Sequence, residues 1–320
     1  MTVAPSTSKP ESNVRPANAK ASNRADYHRP AIIELQRSDR WNASADAVVF
    51  EGRCEDLLAA MPDGSASLAV TSPPYNIGKS YERRTSLSGY VEEQAKVIAE
   101  TVRVVKDGGH IAWQVGNHVD GGEVFPLDAV LYPVFKEHGL KLRNRIVWHF
   151  EHGLHTSHRF SGRHETILWF SKGDDYYFDV DPVRVPQKYP NKKAFKGPNR
   201  GQLTSNPLGK NPGDVWIIPN VKFNHVEKTI HPCQFPIELV ERLILPLTQP
   251  GDLVLDPYGG VGSAVVAAVL NGRRGAMAEL MPEYVKVAHD RLDAAELGTF
   301  RARPMSRPVY RPPTAALVEP

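Results

Sequence analysis

The chain has 320 residues, 41% of them hydrophobic and 23% charged, which allows one large or two ordinary domains whose core needs no disulfide or metal. Two cysteines, Cys54 and Cys233, exclude a disulfide scaffold or a cysteine-rich zinc module and suit a reducing compartment. A net charge of +3 is too small to assign a nucleic-acid partner by itself. No apolar run reaches the ~18–20 residues of a membrane span, and no apolar signal region opens the chain, so a cytoplasmic protein is expected.

Residues 1–30 are rich in Ser, Ala, Asn and Pro without an apolar period and read as a disordered basic arm. Ser67–Thr71 reads as a buried strand. Val91, Ala95, Ile98, Val102 and Val105 then step by four and three along one helix face, and Lys106–Gly109 is read as the stop and turn into a strand over Ile111–Val115. A helix near Pro126–His138 and a strand near Ile146–Phe150 follow. Leu239, Leu243 and Leu247 mark another helix. Leu253–Asp256, Ala264–Leu270 and Ala276–Leu280 read as strand, helix, strand. Pro282 opens a last helix with Val285, Ala288, Leu292 and Ala295 on its inner face. This alternation implies an α/β fold with a largely parallel sheet. From Phe300 on, Pro304, Pro308, Pro312 and Pro313 are interspersed with Arg301, Arg303, Arg307 and Arg311, which predicts an extended tail over 300–320 outside the core.

Residues 184–230 break the rhythm. Arg184, Lys188, Lys192, Lys193, Lys196, Arg200, Lys210, Lys222 and Lys228 stand against only Asp214 and Glu227. A basic, loop-rich insertion in an α/β domain suggests a surface for a polyanion, although a merely solvated loop fits as well.

Two motifs carry chemistry. Thr71-Ser72-Pro73-Pro74-Tyr75-Asn76 follows a buried strand, at the edge where open α/β sheets bind ligands. Two prolines stiffen the loop and remove two N–H donors, leaving carbonyls and the Ser72 hydroxyl as acceptors beside the flat Tyr75 ring. Acceptors next to a stacking face suit an amino group on a planar base. The second motif, Asp256-Pro257-Tyr258-Gly259-Gly260-Val261-Gly262-Ser263, lies between a strand and a helix, and Glu279 ends the next strand 279 − 256 = 23 residues on. That is near the spacing of the acidic residue that holds a ribose diol in nucleotide folds, and an NAD site would fit the glycine loop equally.

The two motifs in this order resemble the β class of amino-methylating DNA methyltransferases, over roughly residues 45–295. In that family Ser-Pro-Pro-Tyr or Asp-Pro-Pro-Tyr comes first, a target-recognition region follows, and Asp-Pro-Phe-x-Gly-x-Gly comes late. His231-Pro232-Cys233-Gln234-Phe235-Pro236 is similar to the family's segment before the cofactor strand, and Arg163-His164-Glu165 to one of its strand entrances. Tyr258 replaces the usual Phe, Phe235 stands where Lys is common, and Arg53 occupies the place of an Asp.

The resemblance implies a Rossmann-like S-adenosylmethionine-dependent fold with circularly permuted motif order. It divides the chain into a catalytic half (31–150), a target-recognition region (151–230) and a cofactor-binding half (231–299). It implies S-adenosylmethionine and double-stranded DNA as ligands, a homodimer, a bacterial cytoplasmic and nucleoid-associated setting, and room for a cognate restriction endonuclease. Ser72 and the Pro73 carbonyl would accept from the amine, with Pro74 and Tyr75 completing the catalytic loop and Tyr75 stacking on a flipped base. Asp256, Pro257, Tyr258, Gly260, Gly262 and Ser263 would line the cofactor, Glu279 would take its ribose, and Phe235, Pro236 and Asn76 would flank it, with Trp113 near the pocket. Arg159, Arg163, Lys188, Lys192, Lys193, Lys196 and Arg200 would meet DNA. Ser72 in place of Asp goes more often with N4-methylcytosine than with N6-methyladenine in this family, so cytosine N4 is the expected target. No metal is expected: His149, His152, His155 and His158 recur every three residues, but Gly153 and the β-rich lead-in argue against the helix that would align them. Pro232-Cys233 matches the dipeptide of cytosine-C5 enzymes but lies in the cofactor-side segment. A non-catalytic DNA-binding protein, an oxidoreductase, and an RNA or protein methyltransferase are the alternatives.

Overall fold

A computed structural model describes residues 29, 31, 34–78, 84–151, 153 and 155–305. The elements in chain order are β1 (Arg37–Ser38), β2 (Ala47–Glu51), α1 (Cys54–Ala60), β3 (Ala66–Thr71), α2 (Leu87–Val104), β4 (Val105–Val115), β5 (Asn117–Asp120), β6 (Glu123–Pro126), α3 (Leu127–Glu137), β7 (Lys141–His149), β8 (His164–Ser171), β9 (Val215–Ile217), α4 (Ile237–Leu247), β10 (Leu253–Asp256), α5 (Ser263–Leu270), β11 (Arg274–Glu279) and α6 (Pro282–Glu296). Nine strands form one sheet in the order β1-β2-β11-β10-β3-β4-β8-β7-β9, and β5 and β6 form a separate hairpin. Within the large sheet β8 runs antiparallel to both β4 and β7, and every other neighbouring pair is parallel.

Alternation along the strands divides the core in two. Val49, Leu68, Val70, Val254 and Met277 face the layer of α4, α5 and α6. Val48, Ala69, Ile111, Trp113, Leu255 and Ala276 face α1, α2 and α3. A strand covered on both faces reads as a continuous apolar run, which is why all six residues of β3 and all four of β10 are buried. Ser86 caps α2 by accepting the Gly89 N–H, and Pro282 opens α6 where a missing N–H costs nothing.

Four expectations change. Lys106–Gly109 is not a turn: β4 begins directly at Val105, because Gly108 N–H donates to the Lys172 carbonyl and Lys172 N–H to the Gly109 carbonyl, which draws the stretch into the sheet. The register shift between Ala66 and Leu68 absorbs the irregularity. The C-terminal tail joins the core through Arg303, since Phe300, Ala302 and Arg303 are buried and Arg303 pairs with the buried Glu238; residues 306–320 lie outside the described residues. Likewise Arg29, counted with the N-terminal arm, is anchored, its N–H on the Phe300 carbonyl and its guanidinium 2.8 Å from Glu241. Residues 1–28 lie outside the described residues. Within 151–230, β8 lies inside the sheet between β4 and β7, so that interval is partly structural framework.

Among the described residues no helix is long and apolar enough to cross a membrane.

Candidate active site

The chain leaves β3 through α2 on one face of the sheet and leaves β10 through α5 on the other. These two strands are neighbours, so the crevice between their C-terminal ends is a topological switch point, where open α/β sheets bind ligands. Both sequence motifs meet there. Thr71 Oγ1 donates to Asp256 Oδ1 at 2.5 Å, joining residues 185 positions apart.

On the β3 side, Ser72, Pro74 and Tyr75 are half-buried and Pro73 is buried. Ser72 Oγ lies 2.9 Å from Tyr75 Oη, and Tyr75 Oη donates to Glu165 Oε2 at 3.3 Å. Gln114 Nε2, at the end of β4, donates to the same carboxylate oxygen. Because the phenol has one proton and gives it to Glu165, the Ser72 hydroxyl donates to Tyr75, leaving the Ser72 lone pairs outward. Burial pushes both the Tyr75 hydroxyl and the Glu165 carboxyl above their ordinary pKa, the Glu165 charge adding to the effect on Tyr75. Gly116 permits this packing: a Cβ there would stand 3.0 Å from the Tyr75 ring.

On the β10 side, the glycines have distinct reasons. Gly262 caps α5 with φ +74°, and a Cβ there would come 2.9 Å from the Ala288 Cβ. A Cβ on Gly259 would meet Met277 at 2.6 Å. Glu279, half-buried at the end of β11, accepts from Gly260 N at 2.9 Å and Met281 N at 2.8 Å. Burial still raises its pKa. Asp256 is fully buried; its Oδ2 has no hydrogen-bond partner among the described residues, and burial pushes the carboxyl up to about 7. Pro257 is buried beside it.

Other expected ligand residues fall into supporting positions. Tyr258 turns its hydroxyl to Gln94 Nε2 of α2 at 3.1 Å and its ring against Trp113, so the change from Phe is accommodated by a polar partner in the core. Trp113 is fully buried between Phe135 and Tyr258 rather than near a pocket surface. Asn76 has φ +57°, is 2% exposed, and bonds both the N–H and the carbonyl of Thr85 with its amide. Phe235 and Pro236 are buried at the start of α4, where the Phe235 carbonyl accepts from Ser263 Oγ at 3.2 Å. Arg53 pairs with Glu55 at 2.5 Å on the exposed rim after β2.

The basic residues divide into two groups. Arg159 is exposed and Arg163 half-buried, both in the loop from β7 to β8, which lies at the catalytic edge. Lys188, Lys192, Lys193, Lys196 and Arg200 are all exposed, and none is in an ion pair among the described residues. Their segment bonds mainly within itself, through Val185–Lys210, Lys192–Thr204 and Ala194–Gln202, and leans on α4 through Asp179 N–H to the Pro246 carbonyl. Strand β9 separates it from Lys222 and Lys228, which reach the carbonyls of Pro232 and His231. His149 ends β7 as strand, and no cluster of metal-ligating side chains occurs among the described residues.

Sequence reasoning missed Glu165 as a partner of Tyr75, and with it Gln114. It also missed Arg291, a buried charge on α6 that holds the Val261 carbonyl at 2.7 Å and Ser263 Oγ at 3.0 Å. A charged residue one step from Leu292 in the apolar stripe was the available signal.

Residues 66–290 match the N6/N4 family model described as DNA methylase. The chain is 48% identical over 242 residues to the type II methyltransferase M.BglII of Bacillus subtilis, covering 75% of this chain and 67% of the relative. It is 30% identical to the DNA adenine methyltransferase YhdJ of Escherichia coli, over 74% of this chain and 80% of the relative. Among solved structures, a Thermus thermophilus protein described as a DNA modification methylase complexed with S-adenosyl-L-methionine matches with TM-score 0.56 and 27% identity, covering 79% of this chain and 95% of that one. The cytosine-N4-specific PvuII DNA methyltransferase shares the fold, with TM-score 0.62 at 20% identity over 84% of this chain and 97% of that one.

Proposed function

We propose, for a chain that belongs to the N6/N4 DNA methylase family, that it moves a methyl group from S-adenosylmethionine to the exocyclic N4 amine of a cytosine flipped out of duplex DNA. Amino-group methylation of DNA comes with the family; the choice of cytosine rests on Ser72. The observation that carries the reading is the meeting of Ser72 and Tyr75 with the Asp256–Gly262 loop at one switch point, tied by Thr71 to Asp256.

The cleft fits the cofactor. Asp256 Oδ2 is a buried carboxylate oxygen in want of a cationic donor. Gly260 and Gly262 turn the loop with positive φ, and Glu279 is pinned by two N–H groups with lone pairs left for a diol. Bound there, S-adenosylmethionine supplies a methyl group already activated by a positively charged sulfur.

The chain's own residues then orient the acceptor. An exocyclic amine is a poor nucleophile while its lone pair is conjugated with the ring. Ser72 Oγ and the Pro73 carbonyl accept hydrogen bonds from its two N–H groups and turn the lone pair toward the methyl group, and the proton that the methylated amine must lose is released to water. Glu165 fixes Tyr75, whose hydroxyl oxygen accepts the Ser72 hydrogen bond, so that Ser72 meets the amine as an acceptor. Tyr75 offers its ring to the base. Orientation and preorganised acceptors supply the acceleration.

Nucleoside analysis by mass spectrometry of DNA treated with purified protein and S-adenosylmethionine tests the reading. N4-methylcytosine is expected. N6-methyladenine, the second reading favoured by the kinship to YhdJ, would overturn the role given to Ser72 in choosing the base.

A pH dependence follows from Asp256. In the cofactor-free protein burial favours its protonated form, so its contribution to stability is present below the ordinary aspartate range and lost as pH rises toward 7. A cation at Oδ2 favours the ionised form. Cofactor affinity should therefore rise with pH up to about 7, by at most about tenfold per pH unit. Calorimetric titration should give that slope for the wild type and a flat profile for Asp256→Asn; equal slopes would refute the assignment.

A further inference from the structure

The loop between β7 and β8 carries Arg159 and Arg163 but has one side chain without a role so far. Its base is paired into the sheet and joined to the catalytic motif. His149 pairs with His164 across the two strands, Phe150 N–H donates to the Arg163 carbonyl at 2.9 Å, and Glu165, two residues beyond, holds Tyr75. Its tip is closed by hydrogen bonds of its own. Thr156 N–H donates to Ser161 Oγ at 3.2 Å, and Thr156 Oγ1 donates to the Arg159 carbonyl at 2.7 Å.

Between those two anchors sits Phe160, 100% exposed. A ring left wholly in water by a turn that its own hydrogen bonds hold shut is unused by the core, and large apolar groups so displayed mark contact sites. The surrounding charge selects the partner. Residues 151–163 carry Arg159 and Arg163 against Glu151 alone, with three histidines as further hydrogen-bonding groups, which suits phosphates.

We propose that this loop is the arm that opens the duplex, and that the Phe160 ring enters the base stack at the gap left by the flipped nucleotide while Arg159 meets the adjoining backbone. The proposal rests on the DNA reading above. Apolar wedges of this kind unstack a base step and hold it open, which offsets part of the cost of extrusion. The wedge and the acceptor loop would share one support, through Glu165, so the ring enters beside the place where the base must arrive. Two other phenylalanines are nearly as exposed. Phe195 belongs to the segment that leans on α4, and Phe223 lies in the stretch after β9 with φ +42°.

Single-turnover methylation separates these roles. Full-length wild type, Phe160→Ala, Phe160→Trp and Phe223→Ala are compared on a duplex with a paired target and on the same duplex with an abasic site opposite the target. Phe160→Ala should be slowed about ten- to a hundredfold on the paired target and less than about threefold on the unpaired one, since extrusion is cheapest there. Phe160→Trp should restore the rate, and Phe223→Ala should keep the wild-type ratio. Equal losses on both duplexes, no loss on either, or a selective loss in Phe223→Ala instead would overturn the proposal. Wild type that methylates neither duplex would defeat the DNA reading itself, a different outcome from any of these.

Discussion

Replacing Ser72 by alanine should slow methyl transfer by about a hundred- to a thousandfold, the range seen when one preorganised hydrogen-bonding group is removed from a reacting centre. The loss has two sources. The amine loses the acceptor that turns its lone pair out of conjugation, and Tyr75 loses the donor that completes its link to Glu165. Neither source touches the glycine loop, so cofactor affinity should stay within about threefold of wild type, and DNA affinity likewise. Single-turnover rates with calorimetric binding of cofactor and a DNA titration check all three. A variant with the wild-type rate would remove Ser72 from the chemistry. One that loses cofactor binding in proportion to rate would show that the loop only shapes the cleft.

Gly262→Val should destabilise the protein by about 3–5 kcal/mol and abolish measurable cofactor binding. Its φ of +74° is a conformation that a β-branched residue adopts only under strain of about 1–3 kcal/mol. The added Cβ would also lie 2.9 Å from the Ala288 Cβ, inside the packed seam of α5 and α6. The two costs are independent, because relaxing the backbone does not move α6 and moving α6 does not relieve the backbone. Thermal unfolding measures the first effect. Titration with S-adenosylmethionine well below the melting temperature measures the second. Wild-type stability would mean that α6 yields easily at Ala288.

Strands β3 and β10 and helices α2–α6 were legible because buried parallel strands read as apolar runs and amphipathic helices show three-four steps, whereas β1, β2, α1, β5, β6 and β9 carry too short or too mixed a pattern and had no reading. Both chemical loops were legible because their prolines and glycines have few structural substitutes. What lay hidden required pairing between distant strands. Glu165 sits at the mouth of β8, and only the antiparallel insertion of β8 beside β4 brings it to Tyr75 and Gln114. The stretch 184–230 looked uniform in charge, yet the three residues of β9 divide it into a part leaning on α4 and a part at the catalytic edge. The directions of the Trp113 and Asn76 side chains were hidden for a common reason. Proximity in sequence to a functional loop does not set the side on which a side chain emerges, and theirs turn toward the core and toward Thr85.

The sheet interleaves early and late strands, as β2-β11-β10-β3. At ~5–20 residues per second of synthesis, the ribosome needs about 10–40 s to proceed from the end of β3 to β10. Throughout that interval β2 and β3 are already made, but the two strands that belong between them do not yet exist. Neither early strand has its inner neighbour, and both keep apolar residues and open edges. The nascent chain must therefore be kept from pairing them with each other or with another chain. Shortening at the C-terminus before β11 would remove the middle of the sheet instead of its border, so truncated products of this gene should be degraded or aggregate rather than persist as a partial fold.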